Sequence, residues 1–114
     1  MKVSDRAKTK IFSIAPGVTS RILANGENLM AVLVEIAGDG VIPIHSHFHE
    51  QIGICLKGKA EFQTDDGEKV LMEGMVYSLK GNEKHCVKPL DKDGAVFLNI
   101  FSPPREDYLE KIKD

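Results

Sequence analysis

The chain has 114 residues, 42% of them apolar, a formal net charge of −2 and a pI near 6.1. That is the length of one domain able to bury its own core, and its charge lacks the basic patch that nucleic acid needs. No apolar run approaches a membrane span, MKVSDRAKTK has no signal-peptide core, and Cys55 and Cys86 are too few for a disulfide framework, so a reduced cytoplasmic protein is expected.

Short apolar or alternating runs follow one another along the chain. Strands are predicted near 10–14, 20–24, 29–37, 51–57, 59–64, 68–72, 75–79, 84–88 and 95–101. Between them stand Pro16-Gly17, Asn25-Gly26, Gly38-Asp39-Gly40, Gly58, Asp65-Asp66-Gly67, Gly74, Gly81-Asn82 and Asp93-Gly94. Gly and Asn accept positive φ at little cost, which tight turns require. Asp66-Gly67, between Phe62 and Val70, is a hairpin signal. Many short strands at this spacing predict a sandwich or barrel rather than βαβ units. One helix is predicted over about 103–113, with Ser102 as its cap and Pro103 in its first turn. Glu106 and Asp107 suit its positive end, and Lys111 and Lys113 its negative end. Tyr108, Leu109 and Ile112 share one face and should dock on the barrel.

All four histidines lie in two short segments, three at His45, His47 and His49 and the fourth at His85. Residues two apart in an extended strand point the same way, so His45, His47, His49 and Gln51 can face one interior. Imidazoles at alternate positions form a natural chelate for one divalent transition metal ion such as Zn, Ni, Mn or Fe. The later strands can bring His85 opposite.

The surrounding spacing resembles the cupin family. From Gly40 to Gly58 runs HxH, three residues, Gln51, six residues and Gly58; fifteen residues separate Gly58 from Gly74, which opens a second motif ending at His85. The resemblance covers roughly residues 20–103 of a single domain spanning 1–114. It implies an all-β fold, the double-stranded β-helix or jelly-roll barrel, with the short helix appended. The departures are a glycine one residue closer to the histidine at Gly40, Gln51 for glutamate, Lys80 for proline, Asn82 for glycine and Pro89 for asparagine. Gln51 alters the chemistry: three imidazoles and an amide oxygen are neutral ligands, so a bound ion keeps its +2 charge and favours an anionic substrate.

Three stretches look closer still to the KdgF-type pectin-degradation cupins: Glu27 to Met30, His45 to Gly53 and Phe101 to Leu109. Those proteins convert 4,5-unsaturated uronates to linear keto sugars. The resemblance implies a metal on His45, His47, Gln51 and His85, a homodimer, and a catalytic aspartate, phenylalanine and arginine at the positions of Asn99, Phe101 and Arg105. Asn99 is the sharp departure, because an amide cannot exchange a proton as a carboxylate does.

Arg105 can clamp a substrate carboxylate, or pair with its acidic neighbours Glu106 and Asp107. His49 can replace Gln51 as a ligand, shuttle a proton, or simply support the ligands. Phe101 can line the pocket, while Phe97 reads as core. Three functions fit: a metal-dependent lyase or isomerase acting on a sugar acid, a metal-dependent dioxygenase, or a non-catalytic sugar-acid binding or sensing module.

Overall fold

The computed structural model describes all 114 residues. A 3-10 turn at Arg6–Lys8 precedes nine strands and one helix. The strands are β1 (Ile11–Ala15), β2 (Val18–Asn25), β3 (Met30–Ile36), β4 (Ile42–His45), β5 (Glu50–Thr64), β6 (Gly67–Met72), β7 (Val76–Leu79), β8 (His85–Pro89) and β9 (Ala95–Ser102). The helix α1 spans Glu106–Lys111.

β5 organises the molecule. Its first half pairs with β9 and β7, in the antiparallel order β1-β2-β3-β9-β5-β7. Its second half pairs with β6 and β8, and β8 carries β4 at the edge. The two segments predicted at 51–57 and 59–64 are therefore one strand shared by two sheets. Its register against β9 shifts between Cys55 and Lys57, and Gly58 follows at φ +80°. A bulge bends a strand without ending it. A Cβ on Gly58 would sit 2.2 Å from the Gly94 carbonyl oxygen, so glycine is the residue that lets the bend pack.

The space between the sheets is filled by Phe12, Val32, Val34, Phe62, Val87 and Phe97 among others. β9 alternates as predicted, with Ala95, Phe97, Asn99 and Phe101 facing inward. No helix is long and apolar enough to cross a membrane.

The helix starts later than predicted. Ser102 does not cap it; Arg105 holds the N-cap position, its carbonyl accepting from the Tyr108 and Leu109 amides. Pro104 is the reason, since proline disfavours helical backbone in the residue before it, here Pro103. The docking face holds as expected. Tyr108 is buried with its ring 5.2 Å from Phe12 and 5.7 Å from Phe101, and Leu109 and Ile112 pack on the same core.

Candidate functional site

Three segments converge at the open end of the barrel. His45 ends β4 and His85 begins β8, and the two are register partners. Gln51 is the second residue of β5. Residues 46–49 leave the strand between them, held by the Asn82 amide donating 2.7 Å to the His47 carbonyl. Asn82 takes φ +66°, the left-handed turn that its amide tolerates.

This break corrects the period-two expectation. His45, His47 and His85 each bring a ring nitrogen within 4.8 Å of the others, but His49 is not in that group. Its buried ring stacks on Phe48 at 4.0 Å and meets the His47 ring edge-on at 5.5 Å. Parity counts only while the backbone stays extended, and β5 begins after His49.

The histidines are oriented by backbone. Each Nδ1 faces a carbonyl: Pro43 at 2.8 Å for His45, His49 at 3.1 Å for His47 and Glu83 at 2.9 Å for His85. With Nδ1 as donor, Nε2 is left as the free lone pair, which is how metal-binding imidazoles are held. Burial, then the Arg105 guanidinium and the other two imidazoles, push His47 from 6.5 down to about 4. Burial lowers His85 as well. Both are thus neutral near pH 7, the form a metal ion requires.

Neutral His47 has one ring proton but faces two acceptors, the His49 carbonyl and the Gln51 Oε1, which lies 3.0 Å from Nε2. One nitrogen–oxygen pair is left with two lone pairs and no proton between them. A cation placed there satisfies both. Three imidazoles and one amide oxygen suit a borderline divalent transition ion, so the residues present fit the metal that the spacing implied.

The His47 shift carries a test. As pH falls below 6.5 the unfolded chain takes up a proton that the folded chain refuses until about pH 4. Stability of metal-free protein should therefore drop across that window and be fully present above it. Asp107, held low by its hydrogen bonds to Arg105, acts in the same direction at lower pH. Denaturant titrations of chelator-treated protein at pH 7 and pH 4.5 measure it; equal midpoints would contradict the neutral His47.

Around the histidines, His45, Gln51, His85, Asn99, Phe101 and Arg105 line one cavity. Phe101 stands between His47, ring to ring at 5.6 Å, and Arg105, whose guanidinium carbon is 5.0 Å from its centroid. Arg105 is buried and pairs with its acidic neighbour Asp107. Nε and Nη2 donate to the two carboxylate oxygens of Asp107 at 3.0 and 2.7 Å, and Nη1 has no partner. Phe97 belongs to the core, and Cys55 and Cys86 are buried free thiols.

Tyr77 was missed by sequence reasoning. Its hydroxyl accepts from Gln51 Nε2 at 2.6 Å and donates to Asn99 Oδ1 at 2.6 Å. The one signal available was Gly53, which the register places opposite both Tyr77 and Asn99. Burial pushes the Tyr77 phenol up, so it keeps its proton.

The model of the cupin domain matches residues 32–101, from β3 through β9. The pectin degradation protein KdgF of Dickeya dadantii (strain 3937) is 31% identical over 97 residues, 84% of this chain and 87% of that protein. H2HPP isomerase of Bacillus subtilis is 40% identical over 77 residues, 65% of this chain but 32% of the isomerase. Among solved structures, KdgF from Halomonas sp. superposes with a TM-score of 0.84 at 27% identity, over 94% of this chain and 99% of that one. An RmlC-like cupin from Shewanella frigidimarina gives 0.86 at 26% identity, over 95% and 96%. The matched domain, the relative at 31% identity and the shared fold show that the chain belongs to the cupin family.

Proposed function

We propose that this cupin holds one divalent transition metal ion on His45, His47, Gln51 and His85 and converts a sugar acid of the 4,5-unsaturated uronate class. The observation that carries this reading is the single cavity onto which His45, His85, Gln51, Asn99, Phe101 and Arg105 open. It places a cation with a free N–H beside a cluster of metal-ligating nitrogens. The likeness to two KdgF proteins supports the choice of substrate.

When bound, the ion supplies Lewis acidity toward a substrate oxygen, undiminished by the neutral ligands. Arg105 Nη1 donates to the substrate carboxylate. Asp107 accepts from Nε and from one Nη2 N–H, which fixes the guanidinium plane and leaves the Nη1 N–H groups for the substrate. The Phe101 ring excludes water between the carboxylate and the histidines. Asn99 holds a substrate oxygen through its amide but moves no proton. His49, its ring 5.5 Å from that of His47, is the imidazole left to carry a proton beside the site.

The test is the loss of absorbance of a 4,5-unsaturated uronate incubated with metal-loaded protein. Slow turnover is expected of the natural chain. Tight sugar-acid binding without turnover would point instead to the binding or sensing role, and oxygen uptake to the dioxygenase.

We also propose a homodimer. Ile52 and Val76 are exposed on the outer face of β5 and β7, half-buried Ile54 lies beside them on β5, and Leu98 and Ile100 continue the strip across β9. Alternation would make such positions polar on a solitary sheet. Light scattering should return twice the 12.6 kDa chain mass.

A further inference from the structure

Gln51 and Asn99 are primary amides on neighbouring strands, joined through one phenol. The oxygen of Gln51 lies 3.0 Å from His47 Nε2 and its nitrogen 2.6 Å from the Tyr77 hydroxyl. A phenol has a single proton. Since the Tyr77 oxygen accepts from Gln51, that proton has to go onward, and Asn99 Oδ1 receives it at 2.6 Å. The chain of bonds therefore runs one way only. The Asn99 oxygen is engaged within the protein, which leaves its amide N–H groups for the cavity.

Packing holds the phenol in this place. The Tyr77 ring lies 4.6 Å from Phe62 and 6.2 Å from Phe97. Gly53 makes the approach possible: a Cβ there would fall 2.3 Å from Asn99 Oδ1 and 2.5 Å from a Tyr77 ring carbon. No residue larger than glycine leaves both contacts intact.

We propose that Tyr77 is a positioning residue that sets the direction of the Gln51–Tyr77–Asn99 chain, keeping the Gln51 oxygen toward the histidines and the Asn99 N–H groups toward the cavity. The inference rests on the metal reading above and extends it to recognition. The cavity wall at Asn99 offers donors, so it selects a ligand with an acceptor oxygen there, a carbonyl or carboxylate rather than a donor group. Hydrogen-bonded supports of this kind are worth about 10–100-fold in metal affinity in other sites.

The experiment measures Ni²⁺ and Zn²⁺ affinity by competition with a chromogenic chelator, for the natural protein, Tyr77→Phe, Gln51→Glu and the double variant. Tyr77→Phe keeps the ring that packs on Phe62 and Phe97 and deletes only the hydroxyl. In the otherwise natural chain affinity should fall about tenfold or more, because the Gln51 amide is then free to turn its nitrogen inward. It should not fall when Tyr77→Phe is added to Gln51→Glu, where either carboxylate oxygen can face the ion. A merely structural role would weaken both backgrounds alike. Unchanged affinity in Tyr77→Phe, or an equal fall in both backgrounds, overturns the positioning role while leaving the metal reading intact. Absence of binding by the natural protein overturns both.

Discussion

Replacing Asn99 with aspartate should raise turnover of 4,5-unsaturated uronates by about 10²–10⁴-fold, the usual contribution of a general acid or base. β9 turns this residue inward, onto the cavity shared by the histidines and Arg105. Aspartate matches asparagine in shape, so the strand pairings of Asn99 with Val32 and Gly53 need not change. One carboxylate oxygen would take over the Tyr77 hydrogen bond now made by Oδ1. The other would replace the amide N–H groups on the cavity side with an atom that can accept and return a proton. Arg105 and the metal would already hold the substrate, so the gain should appear in kcat more than in KM. The assay compares metal-loaded natural and Asn99→Asp protein by the loss of substrate absorbance. Equal, robust turnover by both would assign the proton step to another group, with His49 first in line. No turnover by either would mean that the likeness to KdgF ends at the scaffold.

Removing two imidazoles should abolish metal binding and the stability it confers. For an ion present at 100 times its Kd, binding to the folded state alone stabilises by about 2.7 kcal/mol. In a domain of this length that is a rise in Tm of roughly 10 °C. Natural protein should show such a rise on adding Ni²⁺ or Zn²⁺ after chelator treatment. His47→Ala/His85→Ala protein should show none. His85 is buried at 2% exposure, so its truncation also leaves a void that lowers Tm by itself. The gain on adding metal, not the absolute Tm, is therefore the quantity that reports the site. A gain of similar size in the double variant would place the ion elsewhere.

The alternating strands and the histidine spacing were legible because period two and short chelate spacings survive folding unchanged. β9 reads directly as inward Phe97, Asn99 and Phe101. The misses share a cause: each depended on chain segments far apart in sequence. β4 was overlooked because Pro43 sits inside a four-residue run, and proline argues against a central strand. The structure puts β4 at the sheet edge, where proline is tolerated. β5 looked like two strands because Gly58 reads as a break, whereas Gly94 and β9 turn it into a bend. His49 was expected by parity to share one face with His45, His47 and Gln51, and parity fails where residues 46–49 leave the strand under the hold of Asn82. Tyr77 resembled ordinary core, since nothing local reveals that its hydroxyl meets Gln51 and Asn99. Arg105 could be seen only as a choice between substrate and Asp107; the geometry shows the pairing with Asp107 and leaves Nη1 without a partner.

His45, His47, Gln51 and His85 are proposed to hold one ion among them. Crystals of metal-loaded protein, with diffraction recorded at the absorption edge of the ion, test it most directly. One anomalous peak per chain is expected, about 2.0–2.2 Å from Nε2 of His45, His47 and His85 and from Oε1 of Gln51. A peak at other residues, or a fully loaded protein whose peak lies away from Gln51, would contradict it.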